Sequence, residues 1–314
     1  MLRTQFPDIS ELKRNIALRF AEGRGWPSVV LNVQTTGTVH RPDIVGPLTL
    51  FSNRRGGSAV AVHGRRVQLE ADGYFLSNQG EAYTLDVAAP GTETLNVHFG
   101  QQLAETAWRD LSTADQRLLD DPFGPAEQVC FFGRVYEKDP VTAALLDEPL
   151  HQGEAFNHHA TLREEWLLRL LARLLHTQRA AFRRLEALPA VKAATRQEVY
   201  RRLSYSLDYL HSYYAANPSL DELAQVACLS KFHYLRLFRA VYGQTPYHYL
   251  RRLRLQKAAG LLGQRPPLPV AAIAELVGFE SSSAFCRAFH AATGAWPQAF
   301  QQQGTISNFG QYKA

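Results

Sequence analysis

The sequence predicts a two-domain α+β chain: an N-terminal antiparallel β-sandwich or β-barrel with helices after it, then an all-α C-terminal half carrying a doubled helix-turn-helix. Three observations predict it. Between residues 29 and 99 apolar side chains alternate in short runs, VVLNV, AVAVH, VQL, YFL, YTLDV and TLNVHF, the period of strands with one buried face. Beyond residue 100 the period lengthens to that of helices, and toward the C-terminus one pattern occurs twice. Charge divides along the same line: residues 1–157 hold 14 Lys and Arg against 20 Asp and Glu, a net −6, whereas residues 158–314 hold 20 against 9, a net +11. The basic half is the one suited to a polyanion.

Taken in order, residues 1–28 form an arm in which Ser10 caps a short helix reaching Phe20, with Leu12, Ile16, Leu18 and Phe20 as its partly apolar face. Residues 29–100 are the strand domain. Gly56-Gly57, Gly64, Asp72-Gly73, Gly80 and Pro90-Gly91 supply the positive φ or fixed bends that tight reversals need. Residues 101–190 are helical, with one helix over 103–120, a Pro- and Gly-containing stretch, and a long helix over 161–188. Leu167, Leu170, Leu171, Leu174 and Leu175 give that helix a wide apolar stripe beside Arg163, Arg169, Arg173 and Arg179. The stripe must be buried, either over the sheets or against a second subunit. Pro189 ends the helix, and a further one over 195–215 opens the helical domain of residues 191–314.

The repeat lies in that last domain. Leu223, Ala224 and Leu229 match Ile273, Ala274 and Phe279 at an offset of 50, while Arg236, Phe238, Gly243, Pro246 and Tyr249 match Arg287, Phe289, Gly294, Pro297 and Phe300 at 51. Each copy reads as a short helix, a tight turn, a second helix closing at Gly, and a Pro opening the next element, the layout of a helix-turn-helix. At about 100° per residue, Tyr234, Leu237, Phe238 and Val241 share the inward face of the first copy's second helix, and Ser230 stands at its N-cap. Phe232, Leu235, Arg236 and Arg239 point outward. In the second copy Phe285, Ala288, Phe289 and Ala292 face in, while Ser283, Cys286, Arg287 and His290 face out and Ser282 starts the helix.

Arg can fork onto guanine O6 and N7, Ser can donate or accept, and apolar groups can meet thymine methyls, so these outward faces suit base edges. Phe232, Leu235, Arg236, Ser282, Ser283, Cys286 and Arg287 are the candidate base readers. A helix over 246–262, roughly 25 Å long at about 1.5 Å per residue, joins the copies. Its Arg251, Arg252, Arg254 and Lys257, together with Lys231, Arg239 and His290, are the candidate phosphate contacts.

The stretches SLDELAQVACLSKFHYLRLFRAVYGQTPYHYLRRLRLQKAAGLL and IAELVGFESSSAFCRAFHAATGAWPQAF, covering most of residues 219–300, closely resemble the AraC/XylS family of bacterial transcription regulators. The family usually shows a Tyr-Arg pair after the final Pro; here Phe300-Gln301 stands there, one phosphate contact fewer. The resemblance implies a cupin-like β-barrel sensor before the DNA-binding domain, helices that make a homodimer, a small-molecule effector in the barrel, double-stranded DNA and RNA polymerase as partners, and a role as activator. LEADGYFLSNQGEAYTL is similar to the family's strand-turn-strand beside the effector pocket, and Phe51, Phe75, Tyr83 and His98 are the effector candidates.

Other chemistries are weaker. A metal-dependent cupin needs a clustered His-x-His with further ligands, whereas His63 and His98 stand alone and adjacent His158 and His159 would diverge on a helix. Ser10 and Lys13 have the Ser-x-x-Lys spacing of some acyl enzymes without the partner motifs. Cys130, Cys228 and Cys286 are too few and scattered for a disulfide frame and read as free thiols of a reducing compartment, with Cys286 a small neutral contact rather than a redox centre. No apolar run has a membrane span's length and the N-terminus lacks a secretion signal's apolar core, so the expectation is a cytoplasmic regulator, not an enzyme, with no cofactor and no metal. Two alternatives stay open: a cupin-type enzyme with a helical appendage, and a DNA-binding regulator independent of any ligand.

Overall fold

The computed structural model describes residues 2–112, 131–186, 193–264 and 266–303, and the chain divides into two compact units, residues 1–183 and 184–314. In the first unit β1 (Leu2–Arg3), β2 (Val29–Gln34), β4 (Thr49–Arg55), β7 (Gly73–Ser77), β9 (Glu93–His98) and β10 (Val135–Glu137) form one sheet in the order β1-β2-β9-β4-β7-β10. A second sheet has β3 (Val39–Val45), β5 (Ser58–Val62), β6 (Arg65–Leu69) and β8 (Ala82–Val87) in the order β3-β8-β5-β6. Apart from the parallel β1–β2 pair, the ladders are antiparallel. Among the described residues no ladder joins the two sheets, so the expected barrel takes the form of an open sandwich.

The chain leaves the larger sheet for the smaller at Gly56, whose φ of 73° and approach to Thr92 Oγ1, 2.7 Å from where a Cβ would stand, exclude any side chain. The larger sheet is buried on both faces. Phe51, Phe75 and Val135 pack inward with Ile44, Val60, Val67 and Leu85 of the smaller sheet. Leu50, Tyr74, Leu76, Leu95 and Val97 point the other way, against helices.

Those helices are α2 (Gln101–Ser112), α3 (Pro140–His158) and α4 (Ala160–Glu186). On α4, Trp166, Leu167, Leu170, Leu171, Leu174 and Leu175 are all buried in the cluster that covers the larger sheet's outer face. The leucine stripe is therefore core, and each such burial contributes roughly 1.5–3 kcal/mol. Trp166 Nε1 donates to Leu145 O at 2.7 Å, tying α4 to α3.

Three local expectations change. α1 (Ile9–Ala21) is capped by Asp8, whose Oδ1 accepts from Ser10 N at 2.9 Å and Glu11 N at 3.0 Å, and not by Ser10. A carboxylate two residues earlier satisfies the same orphan amides and also meets the positive helix end. α3 occupies part of the stretch expected only as Pro- and Gly-containing; the helix carries Pro149 and Gly153, bending where Gly153 takes φ 52° and ψ −127°. The helix expected over 103–120 begins at Gln101, and its part beyond residue 112, Pro189 and Cys130 lie outside the described residues.

The second unit is helical: α5 (Ala193–Ser212), a 3-10 turn (Tyr214–Ala216), α6 (Leu220–Val226), α7 (Lys231–Tyr242), α8 (Pro246–Leu262), α9 (Val270–Leu276), α10 (Ser282–Thr293) and α11 (Pro297–Gln303). Leu255, Ala258 and Leu262 of α8 pack with Ile273 and Ala274 of α9 and Phe285, Ala288 and Phe289 of α10. Tyr234, Phe238 and Val241 of α7 are buried likewise, Phe238 meeting Tyr249 of α8 edge to face at 6.0 Å.

Candidate functional site

The two sequence copies fold into two sets of elements in the same order. In the first, Ser219 and Glu222 form a reciprocal capping box that starts α6, Glu222 N donating to Ser219 Oγ at 3.2 Å and Ser219 N to Glu222 Oε2 at 2.7 Å. α7 closes on Gly243 at φ 73°, and Thr245 caps α8 with Pro246 in its first turn. In the second, Ser281 Oγ accepts from Ala284 N at 3.2 Å to cap α10, which closes on Gly294 at φ 74°, and Pro297 opens α11. The change of offset from 50 to 51 falls in the turns, where residues 227–230 correspond to residues 277–281. Ser230 stands at the N-cap of α7 as expected, but its hydroxyl makes no capping bond.

On α7 Phe232 is 85% exposed, Arg236 and Arg239 are exposed, and Leu235 is half-buried. On α10 Ser282, Ser283 and Arg287 are exposed while Cys286 and His290 are half-buried, His290 stacking on Trp296 at 4.3 Å. The inward residues Tyr234, Phe238, Val241, Phe285, Ala288 and Phe289 are buried, and Leu237 and Ala292 partly so. Among the described residues, the guanidinium groups of Arg236, Arg239, Arg251 and Arg287 meet no acidic or carbonyl partner, so their charge faces water. Lys231 is paired with Asp221 at 2.7 Å, Arg252 lies over the Tyr249 ring at 4.9 Å and Lys257 over Tyr214 at 5.4 Å.

Arg254 is a correction. It is 8% exposed, with Nε donating to Tyr214 O at 2.7 Å and Nη2 to Asn217 Oδ1 at 3.3 Å, and burial lowers its pKa. The buried surface of α8 is wide enough to take in this guanidinium. It braces the 3-10 turn and is not available to phosphate.

In the first unit a cavity of about 410 Å³ lies against α1, between the inward faces of β2, β4 and β9 and the strands β3 and β8. Phe51, Tyr83 and His98 line it; Phe75 does not, because it sits one strand further along, paired with Phe51 and Val135 inside the core. Asn96 and Thr49 were missed. Asn96 lines the cavity two residues before His98 on the same strand face, and Thr49, paired in register with His98, holds the imidazole: Nδ1 lies 3.0 Å from Thr49 Oγ1. The period-2 rule applied backwards from His98 finds Asn96. Burial pushes the His98 pKa down to about 4 and raises that of Tyr83, which packs edge to face on Phe51 at 4.8 Å. Arg41 also borders the cavity; burial lowers its pKa, its Nη2 donates to Pro7 O, and its guanidinium lies over Phe6 at 5.2 Å.

A family described as "Helix-turn-helix domain" matches residues 223–303, the two units just described. Over 85 residues the chain is 40% identical to the RCS-specific HTH-type transcriptional activator RclR of Escherichia coli, covering 27% of this chain and 30% of that one. Over 253 residues it is 26% identical to a putative AraC-like transcription regulator of Streptomyces antibioticus, covering 81% and 69%. Among solved structures it is similar to the DNA-binding domain of AdpA in complex with a target DNA, at 25% identity and a TM-score of 0.30, covering 32% of this chain and 91% of that one. The chain spans about a third of the length of the first curated relatives it matches. The doubled unit is a DNA-binding domain of the AraC type. Over this domain the chain is similar to AraC-type transcription regulators.

Proposed function

We propose that the protein is a sequence-specific DNA-binding transcription regulator, a homodimer acting as an activator together with RNA polymerase in the cytoplasm, whose N-terminal unit binds a small-molecule effector. The observation that carries the reading is the pair of solvent-facing guanidinium groups, Arg236 and Arg287, which have no partner among the described residues and stand at corresponding positions of two like-built helices. Side chains without protein partners, on helices narrow enough for a major groove, are what direct readout needs. Arg239 and Arg251 add charge for phosphate. Val141 and Leu150 of α3 and Leu168 of α4 remain 45–55% exposed and support a second copy packing there. The names of the RclR and Streptomyces antibioticus relatives support activation and regulation.

The test is selection of duplexes from a random library with the full chain, followed by titration of Arg236→Ala and Arg287→Ala. Each variant is expected to lose about 1–3 kcal/mol at one base position of the selected site. Equal losses on selected and random duplexes would leave both arginines as phosphate contacts and remove sequence readout from these helices.

A further inference from the structure

Thr49 Oγ1 has one hydrogen, and at 2.9 Å it donates it to Pro47 O. Its contact with His98 Nδ1 at 3.0 Å therefore has the imidazole as donor, which fixes the neutral ring as the Nδ1–H form. Nε2 is left as a bare acceptor on a residue lining the cavity, and among the described residues nothing donates to it. The Asn96 carboxamide and the Tyr83 hydroxyl, on residues 2% and 5% exposed, line the same space and likewise have no hydrogen-bond partner among the described residues. Tyr83 and Thr49 converge, their hydroxyls 3.9 Å and 3.7 Å from where a Cβ on Gly46 would stand.

Arg3, Arg19, Arg24 and Arg41 are among the residues that line the cavity. Arg41 donates to Pro7 O, Arg19 Nε to Gly25 O at 3.1 Å, and Arg24 pairs with Glu22. Leu12, Ile16, Val29, Leu31, Phe51 and Leu85 give the wall a broad apolar part, beside which Glu11, Asn15 and Ser28 also line the cavity.

Resting on the effector reading above, we infer that this cavity takes an uncharged molecule with an apolar body and a hydroxyl group, whose hydrogen is received by His98 Nε2, and that it discriminates against carboxylates. A buried acceptor left unmatched is costly, so a ligand that donates to it gains over an isostere that cannot. A carboxylate would set its lone pairs against that bare nitrogen and lose part of its water on entering. Protonation of the ring, which would turn Nε2 into a donor to an anion, is opposed by its burial.

Calorimetric titration of the full chain at pH 7 with 4-tert-butylphenol, its methyl ether 4-tert-butylanisole, and 4-tert-butylbenzoate tests this. The phenol is expected to bind roughly three- to tenfold more tightly than the ether, the worth of one hydrogen bond, and the benzoate more weakly than either. Thr49→Val frees the ring to take the Nε2–H form, so the preference of phenol over ether should collapse; His98→Phe should abolish it. Circular dichroism melts confirm that each variant folds. Tightest binding by the benzoate, an undiminished phenol preference in a folded Thr49→Val chain, or no binding of any of the three below about 1 mM overturns the inference. Footprints of the full chain on its selected duplex, taken with each compound, separate the two readings. Phenol binding that leaves every footprint unchanged defeats the effector role and upholds the cavity chemistry. A benzoate that binds best and alters the footprint does the reverse.

Discussion

Burial in the cavity wall opposes a proton on His98, whose pKa falls from 6.5 to about 4 because a charge there loses its water. An unfolded chain takes up that proton as the pH drops through about 6.5, whereas the native chain waits until about 4. The unfolded state therefore binds more protons in this window, so native stability is complete above about pH 6.5 and drains away toward pH 4, by roughly 2–3 kcal/mol. Urea unfolding at pH 7.5 and pH 5 should show this loss in the wild-type chain and a smaller one in His98→Phe; equal losses in both would place the titrating group elsewhere. Arg254 makes the opposite point about a charge. Removing it in Arg254→Ala leaves Tyr214 O without its donor and is expected to cost about 2–4 kcal/mol of stability. In Arg254→Gln, which removes the charge but keeps a hydrogen-bonding side chain, the salt dependence of DNA binding should match wild type while the melting temperature falls. A reduced salt slope in that folded variant would return Arg254 to the phosphate set.

The two turns between paired helices show how one element is built with different residues. Cys228 takes φ 51° where its counterpart Gly278 takes φ 84°, and both turns close with the same bond pattern, Leu229 N to Ala224 O at 3.0 Å and Phe279 N to Ala274 O at 2.9 Å. A side chain in this left-handed region costs about 1 kcal/mol, partly offset by the entropy a glycine would lose, so Cys228→Gly should stabilise the second unit by about 0.5 kcal/mol. Gly278→Ala should destabilise it by 2 kcal/mol or more at order of magnitude, since a Cβ there would lie 2.6 Å from Ala215 O and 2.9 Å from Arg254 Nη2. Thermal melts of the two variants should move in opposite directions; shifts of the same sign would mean that the turn's φ does not limit it. The repeat itself was legible because helical spacing and the Gly and Pro punctuation are local. The strands were legible from alternation, and the α4 stripe from its leucines. What sequence spacing did not reveal is decided by tertiary partners: whether Asp8 or Ser10 caps α1, that α3 survives Pro149 and Gly153, that the buried side of α8 reaches Arg254, and that Phe75 turns into the core while His98 faces the cavity.

At the scale of the whole chain, charge assigns the work. Residues 158–314 carry a net +11 and residues 1–157 a net −6, so long-range attraction to a polyanion comes from the C-terminal half and is opposed by the rest. Within that half, ion pairs and ring contacts already occupy Lys231, Arg252 and Lys257, and Arg254 is buried. The charge most available to DNA is that of Arg236, Arg239, Arg251 and Arg287. Each phosphate neutralised on a duplex contributes about 0.9 to the slope of log affinity against log salt. If Arg239 and Arg251 each neutralise one, the double variant Arg239→Ala/Arg251→Ala should flatten that slope by about 1.8, and equally on selected and random duplexes, because phosphate carries no sequence information. Titrations across 50–300 mM salt measure it. A slope unchanged in the double variant would show that these two side chains stay in water, and the affinity would then have to come from charges the fold holds in other contacts.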